Sequence, residues 1–313
     1  MKVWKSINAS NFVTPLPGLD KRSSKADEFT ILHTSSPDSE YPESHLITAK
    51  LGNDIQISLN LQRPASVPGW KLGKGPDGGY SYFGTDTKKA DGYVIHRIWP
   101  RVQATGQFTI DGKIQAVKGG GMFVHAIQGM RPNLVASAWN FSTFQSDEQG
   151  GVSAMQMEFT TQEKHGKKGP GSGGVVVNIG SLVVGGKLVG VTAETKWPGE
   201  ESQGAIISRA THTKRIPDPD TGYSQPSEIL FEWKGPSVVS NAPGEIEAKL
   251  EVDLGSLQSP RGLIDKVDVL AEIPYVLKMA VNYVAGTKPY IYQVGSGNIF
   301  TNKLVAHSFF LVL

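Results

Sequence analysis

The chain has 313 residues, a formal net charge of +2 and no cysteine. Without cysteine it has no disulfide bonds, thiolate metal ligands or cysteine nucleophiles, and it suits a reducing compartment. Its basic residues are scattered, whereas a nucleic-acid-binding protein needs a basic face with interleaved aromatics. No window approaches 18 apolar residues, and the first residues lack the apolar core of a signal peptide. We therefore expect a cytoplasmic protein that binds no nucleic acid.

Apolar and polar residues alternate at period two along much of the chain, which is the pattern of half-buried β-strands. The alternation is clearest at 54–62 (DIQISLNLQ), 227–235 (SEILFEWKG) and 245–255 (EIEAKLEVDLG). Two pairs that tolerate positive φ, at 111–112 (Asp-Gly) and 185–186 (Gly-Gly), separate neighbouring strands as hairpin turns. Strands without intervening helices predict an all-β protein made of antiparallel barrels or sandwiches.

Two further segments organise the chain. A single short helix is predicted over Pro274–Ala285, because a proline stands near its start, Gly286 follows its end, and apolar residues recur on one side. The segment 131–138 has little periodicity and is interpreted as a junction between two β units. The predicted domains are therefore residues 1–135 and residues 136–313.

Few motifs point to catalysis. Gly73, Gly75 and Gly78 match the dinucleotide-binding spacing, but the residues after them do not open the helix that such a motif needs. The seven histidines show no close pair at metal-ligand spacing, so we expect neither a metal nor another cofactor. The histidines expected at the surface, because they lie in or beside polar segments, are His33, His45, His165 and His212. His96 and His125 lie in apolar stretches, where a core histidine and a polar contact in a ligand cavity are both open interpretations.

Aromatic residues and methionines concentrate in the middle of the sequence. Alternation places Met155, Met157 and Phe159 on one face of a strand, and Gln156 and Glu158 on the other. Such apolar residues fill β interiors, and adaptable methionine-rich walls also suit a long apolar ligand. Because the spacing reveals no acid–base pair or nucleophile, the pattern favours a binding protein over an enzyme.

Several segments resemble the fungal survival-factor family, whose members are oxidative-stress and cell-survival proteins. The segments are YFGTD (82–86), HRIWPR (96–101), GMFVHAIQGMRPN (121–133), WNFSTFQS (139–146), MEFTT (157–161), DKVDVLAEIP (265–274) and VAGTKPYIYQ (284–293). They occur in the family's order, and several are long and unusual. The resemblance implies two lipocalin-like antiparallel β-barrel domains in tandem with one short C-terminal helix.

The resemblance also implies a ligand-handling function. Members of the family are linked to sphingolipid metabolism as carriers of ceramide between the endoplasmic reticulum and the Golgi, and they support survival under oxidative stress. We therefore expect a cytosolic protein that transfers a ceramide-like lipid, with peripheral contact to Golgi or endoplasmic reticulum membranes and presence in the nucleus. Family members carry a further N-terminal segment with the first strands of the first barrel, so the first domain is expected to be incomplete.

The expected ligand site combines apolar wall residues with polar contacts for a lipid head group. The residues predicted for it are Trp99, Phe123, His125, Gln128, Trp139, Asn140, Phe141, Met155 and Met157. His125, Gln128 and Asn140 are its polar members, and about half of the wall residues are expected to face a barrel interior or the cleft between domains. No catalytic residue and no metal ligand is predicted.

Two other functions stay open at this point. Fungal pericyclases of the Diels–Alder or hetero-Diels–Alder type share the two-domain plan of the family that the chain resembles. Such an enzyme needs only a shaped pocket and one or two hydrogen-bond donors, because proximity and orientation supply much of the rate. A stress-response scaffold that binds proteins and carries no lipid is the third interpretation.

Overall fold

The structure is a computed structural model. It describes residues 9–71, 80–86, 88–130, 135–147, 150–167, 169, 172–196, 206–240, 244–256, 259, 261–268, 290–295 and 305–312. Most of these residues lie in β-strands, and the strands pair antiparallel, which confirms the predicted all-β fold of antiparallel sheets. The helix predicted over Pro274–Ala285 lies outside the described residues. Among the helical residues that are described, none forms a segment long and apolar enough to cross a membrane.

The described residues form eighteen strands and a short 3-10 helix at Glu163–His165. The strands are β1 (Ser24–Lys25), β2 (Phe29–Ser35), β3 (Glu43–Leu51), β4 (Ile55–Arg63), β5 (Trp70–Lys71), β6 (Tyr80–Phe83), β7 (Gly92–Ile110), β8 (Lys113–Gln128), β9 (Ala136–Ser146), β10 (Val152–Thr161), β11 (Val176–Val184), β12 (Lys187–Lys196), β13 (Ile207–Pro217), β14 (Ser224–Pro236), β15 (Glu245–Asp253), β16 (Leu263–Asp268), β17 (Tyr290–Gly295) and β18 (Val305–Val312).

The chain divides into two compact units. Unit 1 comprises residues 1–69 and 99–123, and unit 2 comprises residues 70–98 and 124–313. The domains predicted from the sequence, with their boundary after residue 135, stay a prediction.

Unit 1 is built on an antiparallel sheet in the order β1-β2-β3-β4-β7, and β8 also pairs with β7. Within this unit β4 pairs with the C-terminal part of β7, where Ile55 lies opposite Ile110. The β7–β8 hairpin turns at Asp111 and Gly112, whose φ angles of 50° and 75° are left-handed. This is the turn that the sequence predicted, and it takes residues that tolerate positive φ.

Unit 2 contains two antiparallel sheets. The larger sheet has the strand order β12-β11-β10-β9-β18-β17-β16, and the smaller sheet has the order β13-β14-β15. The N-terminal part of β7 also belongs to this unit, where it pairs with β5 and β6. The β11–β12 hairpin turns at Gly185 and Gly186 with φ angles of 60° and 68°, which confirms the second predicted turn.

The two sheets of unit 2 pack face to face around an apolar core. Phe144 and Leu182 lie on the inner face of the larger sheet and pack with Phe231 and Trp233 of the smaller sheet. The Trp233 indole N–H donates a hydrogen bond to the main-chain oxygen of Met155, with the two atoms 2.8 Å apart. Because a buried indole needs a hydrogen-bond partner, this bond fixes the smaller sheet against β10.

A second apolar cluster in unit 2 packs on the other face of the larger sheet. Phe83 of β6 and Val94 of β7 pack there with Phe159 and Val177. The rings of Phe83 and Phe159 meet edge to face with their centres 5.7 Å apart. The larger sheet is therefore covered on both faces, which explains why β11 is buried along nearly its whole length.

A buried polar network ties the loop before β14 to β16 and β17. The Tyr292 hydroxyl donates to Asp218 Oδ2 at 2.8 Å, and the Thr221 hydroxyl donates to the same oxygen at 3.0 Å. Lys266 Nζ donates to Asp218 Oδ1 at 2.8 Å. Although burial opposes ionisation, the hydrogen bonds from Lys266 and Tyr292 outweigh it and lower the pKa of Asp218 to about 2.

We expect Asp218→Asn to lower the free energy of unfolding at pH 7. A pKa of about 2, against the ordinary value of 3.8, corresponds to a loss of about 2 kcal/mol. Because the ionised carboxylate is the stabilising form, this contribution is complete above about pH 4 and is lost as the pH falls toward about 2. Urea unfolding followed by tryptophan fluorescence at neutral and acid pH measures both effects.

Asp220→Asn is the matched control for this substitution. Asp220 accepts a bond from the same Lys266 amine at 3.0 Å, but its side chain is 78% exposed. The control should change the free energy of unfolding by at most about 0.5 kcal/mol. Equal losses in the two variants, or a loss in Asp218→Asn that does not shrink at acid pH, would contradict the prediction.

Candidate functional site

The sheet of unit 1 has one face of apolar side chains. Residues two apart on a strand point the same way, and residues paired across strands share a face. Ile31 lies opposite Ile47, which in turn lies opposite Leu59. The apolar face comprises Phe29, Ile31, Ile47, Ile57, Leu59, Leu61 and Phe108. Each of these side chains is half-buried.

The apolar face thus keeps part of its surface accessible. The two clusters of fully buried apolar side chains described above both belong to unit 2. Burial of apolar surface contributes roughly 25 cal/mol per Å², so a half-buried face leaves free energy that a bound apolar molecule can still gain. Contiguous accessible apolar surface of this kind marks a ligand or partner site.

Four rings lie together at one end of the apolar face, and we call them the His–Trp cluster. Its members are His33, His45, Trp99 and Phe123. His33 and His45 are partners across β2 and β3, and they continue the apolar face by the same two-residue alternation. The centre of the His45 ring lies 4.6 Å from that of Trp99 and 4.4 Å from that of Phe123. The two histidine rings are 5.1 Å apart.

Charged side chains surround the His–Trp cluster. Arg63 Nε donates to Glu43 Oε2 at 2.8 Å, and the guanidinium carbon lies 6.0 Å from the centre of the Trp99 ring. His33 Nδ1 lies 3.0 Å from Asp20 Oδ2, and its Nε2 lies 3.4 Å from Glu43 Oε1. Burial opposes the ionisation of Glu43, but the hydrogen bond and charge of Arg63 outweigh it and lower the pKa of this carboxyl. The charges at this end are therefore already paired.

The opposite face of the same sheet is polar. It borders a groove of about 340 Å³ whose lining includes Thr30, Thr48, Gln56, Ser58 and Gln107, and whose apolar lining residues are Ala26, Phe29, Ala49 and Ile57. The polar lining residues alternate with those of the apolar face along the same strands. A hydrocarbon chain gains little binding free energy among hydroxyl and amide groups, because these groups would lose their hydrogen bonds to water. The apolar face is therefore the better candidate for an apolar ligand.

Together, the apolar face and the His–Trp cluster suit an amphipathic ligand. Hydrocarbon would lie along the face, and a polar head would meet imidazole nitrogens that donate or accept according to their tautomer. Within the ranges that the structure describes, no three His, Asp or Glu side chains are grouped so as to hold a metal ion.

The expectation that His33 and His45 lie at the surface is wrong. They are 6% and 3% exposed, because their strands carry the apolar alternation through these positions. The sequence does contain a pattern that predicts the burial of these two histidines. His33 follows Phe29 and Ile31 at two-residue steps, and His45 precedes Ile47 by two residues. A histidine in phase with apolar positions belongs to the same face as they do.

The nine residues predicted for the ligand site are divided between the two units. Trp99 and Phe123 belong to the His–Trp cluster, with ring centres 5.3 Å apart. The other seven lie in unit 2. Of these, His125 and Gln128 are half-buried on β8. Burial and, to a smaller extent, the charge of Arg97 lower the pKa of His125.

Four of the predicted wall residues share one face of the larger sheet. Met157 is the register partner of Phe141, and Trp139 is the partner of Phe159, with these two rings 5.6 Å apart. Met155 lies on the same face, two residues before Met157. The register confirms the alternation predicted for these strands. Trp139 packs with the second apolar cluster of unit 2.

Asn140 lies on the inner face of the larger sheet, between two titratable side chains. His212 Nε2 lies 2.9 Å from Asn140 Oδ1, and Asn140 Nδ2 donates to Glu158 Oε1 at 3.4 Å. Burial raises the pKa of Glu158 to about 7 and lowers the pKa of His212 to about 4. His212 was expected at the surface but is half-buried.

His96 is a buried core histidine. It is 2% exposed, and neither of its ring nitrogens has a hydrogen-bond partner in the part of the chain that is described. Burial lowers its pKa to about 4, so the ring is neutral at physiological pH. His165, expected at the surface, is half-buried, with its Nδ1 3.1 Å from Asp91 Oδ2.

Comparison with known proteins identifies a family and its relatives. A model of the Svf1 family matches residues 1–306 of the chain. The ceramide-binding protein svf1 of Aspergillus fumigatus is 35% identical over 251 residues, which cover 80% of this chain and 54% of that protein. The ceramide-binding protein svf-1 of Neurospora crassa is 36% identical over 247 residues, which cover 79% of this chain and 55% of that protein. The ceramide-binding protein svf1 of Schizosaccharomyces pombe is 31% identical over 265 residues, which cover 85% of this chain and 60% of that protein. The chain thus spans little more than half the length of these relatives.

Two solved structures resemble the chain at low sequence identity. A crystal structure from Nitrosomonas europaea, assigned to AttH, aligns with a TM-score of 0.47 at 10% identity, covering 94% of this chain and 70% of that one. Kievitone hydratase from Nectria haematococca aligns with a TM-score of 0.41 at 9% identity, and the alignment covers 93% of this chain and 84% of that one. Similarity at this level does not bear on activity.

We expect Glu158→Gln to stabilise the protein at alkaline pH. Because the pKa of Glu158 is raised from 4.5 to about 7, the folded protein binds this proton more tightly than the unfolded chain does. Stability is therefore lost as the pH rises from about 4.5 through about 7, and an uncharged glutamine avoids this loss. Urea unfolding at pH 8 should show a gain of about 1–3 kcal/mol, with little difference near pH 4.5.

Glu251→Gln provides the control, because Glu251 is an exposed residue of β15 in the same unit. Its free energy of unfolding should stay within about 0.5 kcal/mol of the unaltered chain at both pH values. A Glu158→Gln variant that is less stable than the unaltered chain at pH 8 would show that the carboxylate is stabilised in the fold, contrary to this prediction.

Proposed function

This chain belongs to the Svf1 family, and we propose that it binds a ceramide-like lipid on the sheet of unit 1. The observation that carries the proposal is the apolar face, which is half-buried along its length and ends at the His–Trp cluster. Relatives that are 31% to 36% identical are named ceramide-binding proteins, which supports a lipid of this class.

The hydrocarbon chains of the lipid would lie on the apolar face. Neighbouring strands are about 4.8 Å apart, so the row of Ile31, Ile47 and Leu59 spans roughly 10 Å of apolar surface across three strands. Each methylene group removed from water contributes about 0.8 kcal/mol. A long acyl chain therefore gains several kcal/mol without any directional contact.

The polar head would meet the His–Trp cluster. The head of a ceramide carries hydroxyl groups and an amide, which are neutral groups that donate and accept hydrogen bonds. A neutral head suits a site in which Glu43 and Arg63 are already paired with each other. A charged head would compete with that pair, and separating partly buried charges is costly. His33 and His45 are the nearest candidates to orient the head.

We further propose that the chain carries this lipid through the cytoplasm between endoplasmic reticulum and Golgi membranes, touching them peripherally, and that it supports survival under oxidative stress. The resemblance of the sequence segments to the survival-factor family motivates this part of the proposal. The chain covers 54% of the Aspergillus relative, so the test must use the 313-residue chain itself.

A carrier is preferred to a fungal cyclase for two reasons. The relatives are named for binding a lipid and not for a reaction. In addition, the apolar face is accessible along its length, whereas a pericyclase must enclose its substrate and hold it in a reactive conformation.

Substitutions on the apolar face test the binding proposal. We expect Leu59→Asp to reduce extraction of ceramide from vesicles at least about ten-fold, because a carboxylate under a hydrocarbon chain must lose its water. His45→Phe keeps the ring stack but removes the imidazole nitrogens, so a smaller loss of roughly three-fold is expected. Sedimenting vesicles that carry labelled ceramide, and then measuring label in the supernatant, gives the extracted fraction.

Ser58→Asp is the matched control, because Ser58 precedes Leu59 on β4 and faces the polar groove. It introduces the same charge at almost the same place and should extract ceramide as the unaltered chain does. Thermal unfolding of each variant checks that it is folded. Equal extraction by Leu59→Asp and Ser58→Asp would contradict binding on the apolar face.

Delivery is measured separately from extraction. If the chain is a carrier, labelled ceramide should move from vesicles of endoplasmic-reticulum composition to vesicles of Golgi composition at a rate proportional to the concentration of the chain. The Leu59→Asp variant should not raise this rate above the spontaneous one. A chain that extracts ceramide but does not deliver it would refute transfer while leaving the binding proposal intact.

A further inference from the structure

Three tyrosine rings stand together on the β6–β7 ladder of unit 2, and we call them the tyrosine patch. Tyr82 is the register partner of Tyr93, and Tyr80 lies on the same face of β6, two residues before Tyr82. The Tyr80 and Tyr82 rings are parallel to within 8°, with their centres 5.5 Å apart, and the Tyr93 ring meets both edge to face. Tyr80 is 37% exposed and Tyr82 is 49% exposed.

The fold holds the tyrosine patch in place. Ser81 and Phe83 alternate with the two tyrosines of β6 and are buried, and Phe83 belongs to the second apolar cluster of unit 2. The Tyr93 ring lies across Gly129, where a β-carbon would stand only 2.3 Å from the ring. The Gly129 main-chain N–H donates to the Tyr93 oxygen at 2.9 Å. The rings are therefore exposed because β6 alternates over a packed core.

Apolar and basic side chains lie on the same side of these strands. Ile127 is 37% exposed and lies two residues before Gly129, so strand alternation puts it on the side of the Tyr93 ring. Tyr93 and Arg97 are half-buried and point the same way along β7, whereas the residues between them are buried. Lys71 of β5 is the register partner of Arg97 and shares its face.

The turn after β6 adds basic charge at the other end of the tyrosine patch. Lys88 and Lys89 are exposed in this turn. Residues 80–97 together with Lys71 comprise four basic and two acidic side chains. One of the two acids, Asp91, already lies 3.1 Å from a histidine nitrogen. The surroundings of the patch therefore favour an anionic partner.

We propose that the tyrosine patch docks unit 2 on a phospholipid bilayer, with its rings at the level of the lipid head groups. Tyrosine is enriched at that depth because its ring is apolar while its hydroxyl stays hydrated. The neighbouring basic side chains would meet lipid phosphates and anionic lipids of the cytoplasmic leaflet. This inference rests on the proposed peripheral membrane contact and names the surface that makes it.

A bilayer fits this surface better than a protein partner does. The exposed apolar part consists of two tyrosine rings and Ile127, which is small beside the roughly 800 Å² that each side of a standard protein interface buries. Basic residues stand at both ends of the patch, with Arg97 beyond Tyr80 and Lys88 beyond Tyr82. Fluid lipid head groups can move to such charges, whereas a protein partner would have to match their positions.

Co-flotation with vesicles in a density gradient tests the docking surface. The 313-residue chain should float with phosphatidylcholine vesicles that contain about one-fifth phosphatidylserine and no ceramide, and less so when salt rises from about 0.1 M to about 1 M. Tyr80→Ser combined with Tyr82→Ser should weaken vesicle binding at least about ten-fold. Tyr82→Ser alone should weaken it about three-fold, which keeps the test decisive if the double variant does not fold.

Ile264→Ser is the matched control in unit 2. Ile264 is 54% exposed on β16, so the variant removes a comparably exposed apolar side chain outside the tyrosine patch. It should float as the unaltered chain does. The proposal is overturned if the unaltered chain does not float with anionic vesicles, if the tyrosine variants float as it does, or if Ile264→Ser loses as much. Self-association that the tyrosine variants abolish, with flotation unchanged, would assign the patch to a second copy instead.

Ceramide binding is measured separately from docking. Labelled ceramide delivered from cyclodextrin needs no bilayer, so the tyrosine variants should bind it as the unaltered chain does. If the unaltered chain floats with vesicles but binds no ceramide from cyclodextrin, the lipid-binding proposal fails and docking stands. If the tyrosine variants bind ceramide and still float, docking alone fails. Tyrosine variants that are folded but bind no ceramide would place the patch in the lipid site and overturn its docking role.

Discussion

Antiparallel strand pairing is the constraint from which both candidate sites derive. Successive residues point to opposite sides of a sheet, and paired residues point to the same side, so register decides which side chains meet. In unit 1 this rule puts Ile31, Ile47 and Leu59 in line on one face and Thr48 and Ser58 on the other. A slip of one residue in β4 would put Ser58, in place of Leu59, on the face that carries Ile47.

The two units use their apolar faces differently. In unit 2 a second sheet covers the inner face, and the Trp233 indole is bonded to the main chain beneath it. The apolar face of unit 1 is half-buried over seven side chains, and at its end the aromatic surface of Trp99 lies beside the paired charges of Glu43 and Arg63. A fold that leaves apolar surface beside neutralised polar groups is suited to hold an amphipathic molecule with an uncharged head.

Two carboxyls of unit 2, the buried Asp218 and the half-buried Glu158, show how the surroundings of a carboxyl set its charge. Asp218 accepts hydrogen bonds from Lys266, Tyr292 and Thr221, and its ionised form is stabilised despite burial. Glu158 accepts a long bond from the Asn140 amide and a bond from the Ala210 main chain, but burial outweighs them and raises its pKa to about 7. The first carboxylate strengthens the fold, whereas the second weakens it as it ionises.

The sequence by itself determined the strands, the turns and the family. Alternation along β10 predicted which face carries Met157, and the turns at 111–112 and 185–186 formed where small or positive-φ residues stand. These features are local, because each depends on residues within a few positions of one another. Only the tertiary structure decided that His33, His45 and Trp99 meet, or that Ser208 reaches over Gly180. Such contacts join strands that are distant in sequence, and they require the pairing order and register of a whole sheet, which no single segment encodes.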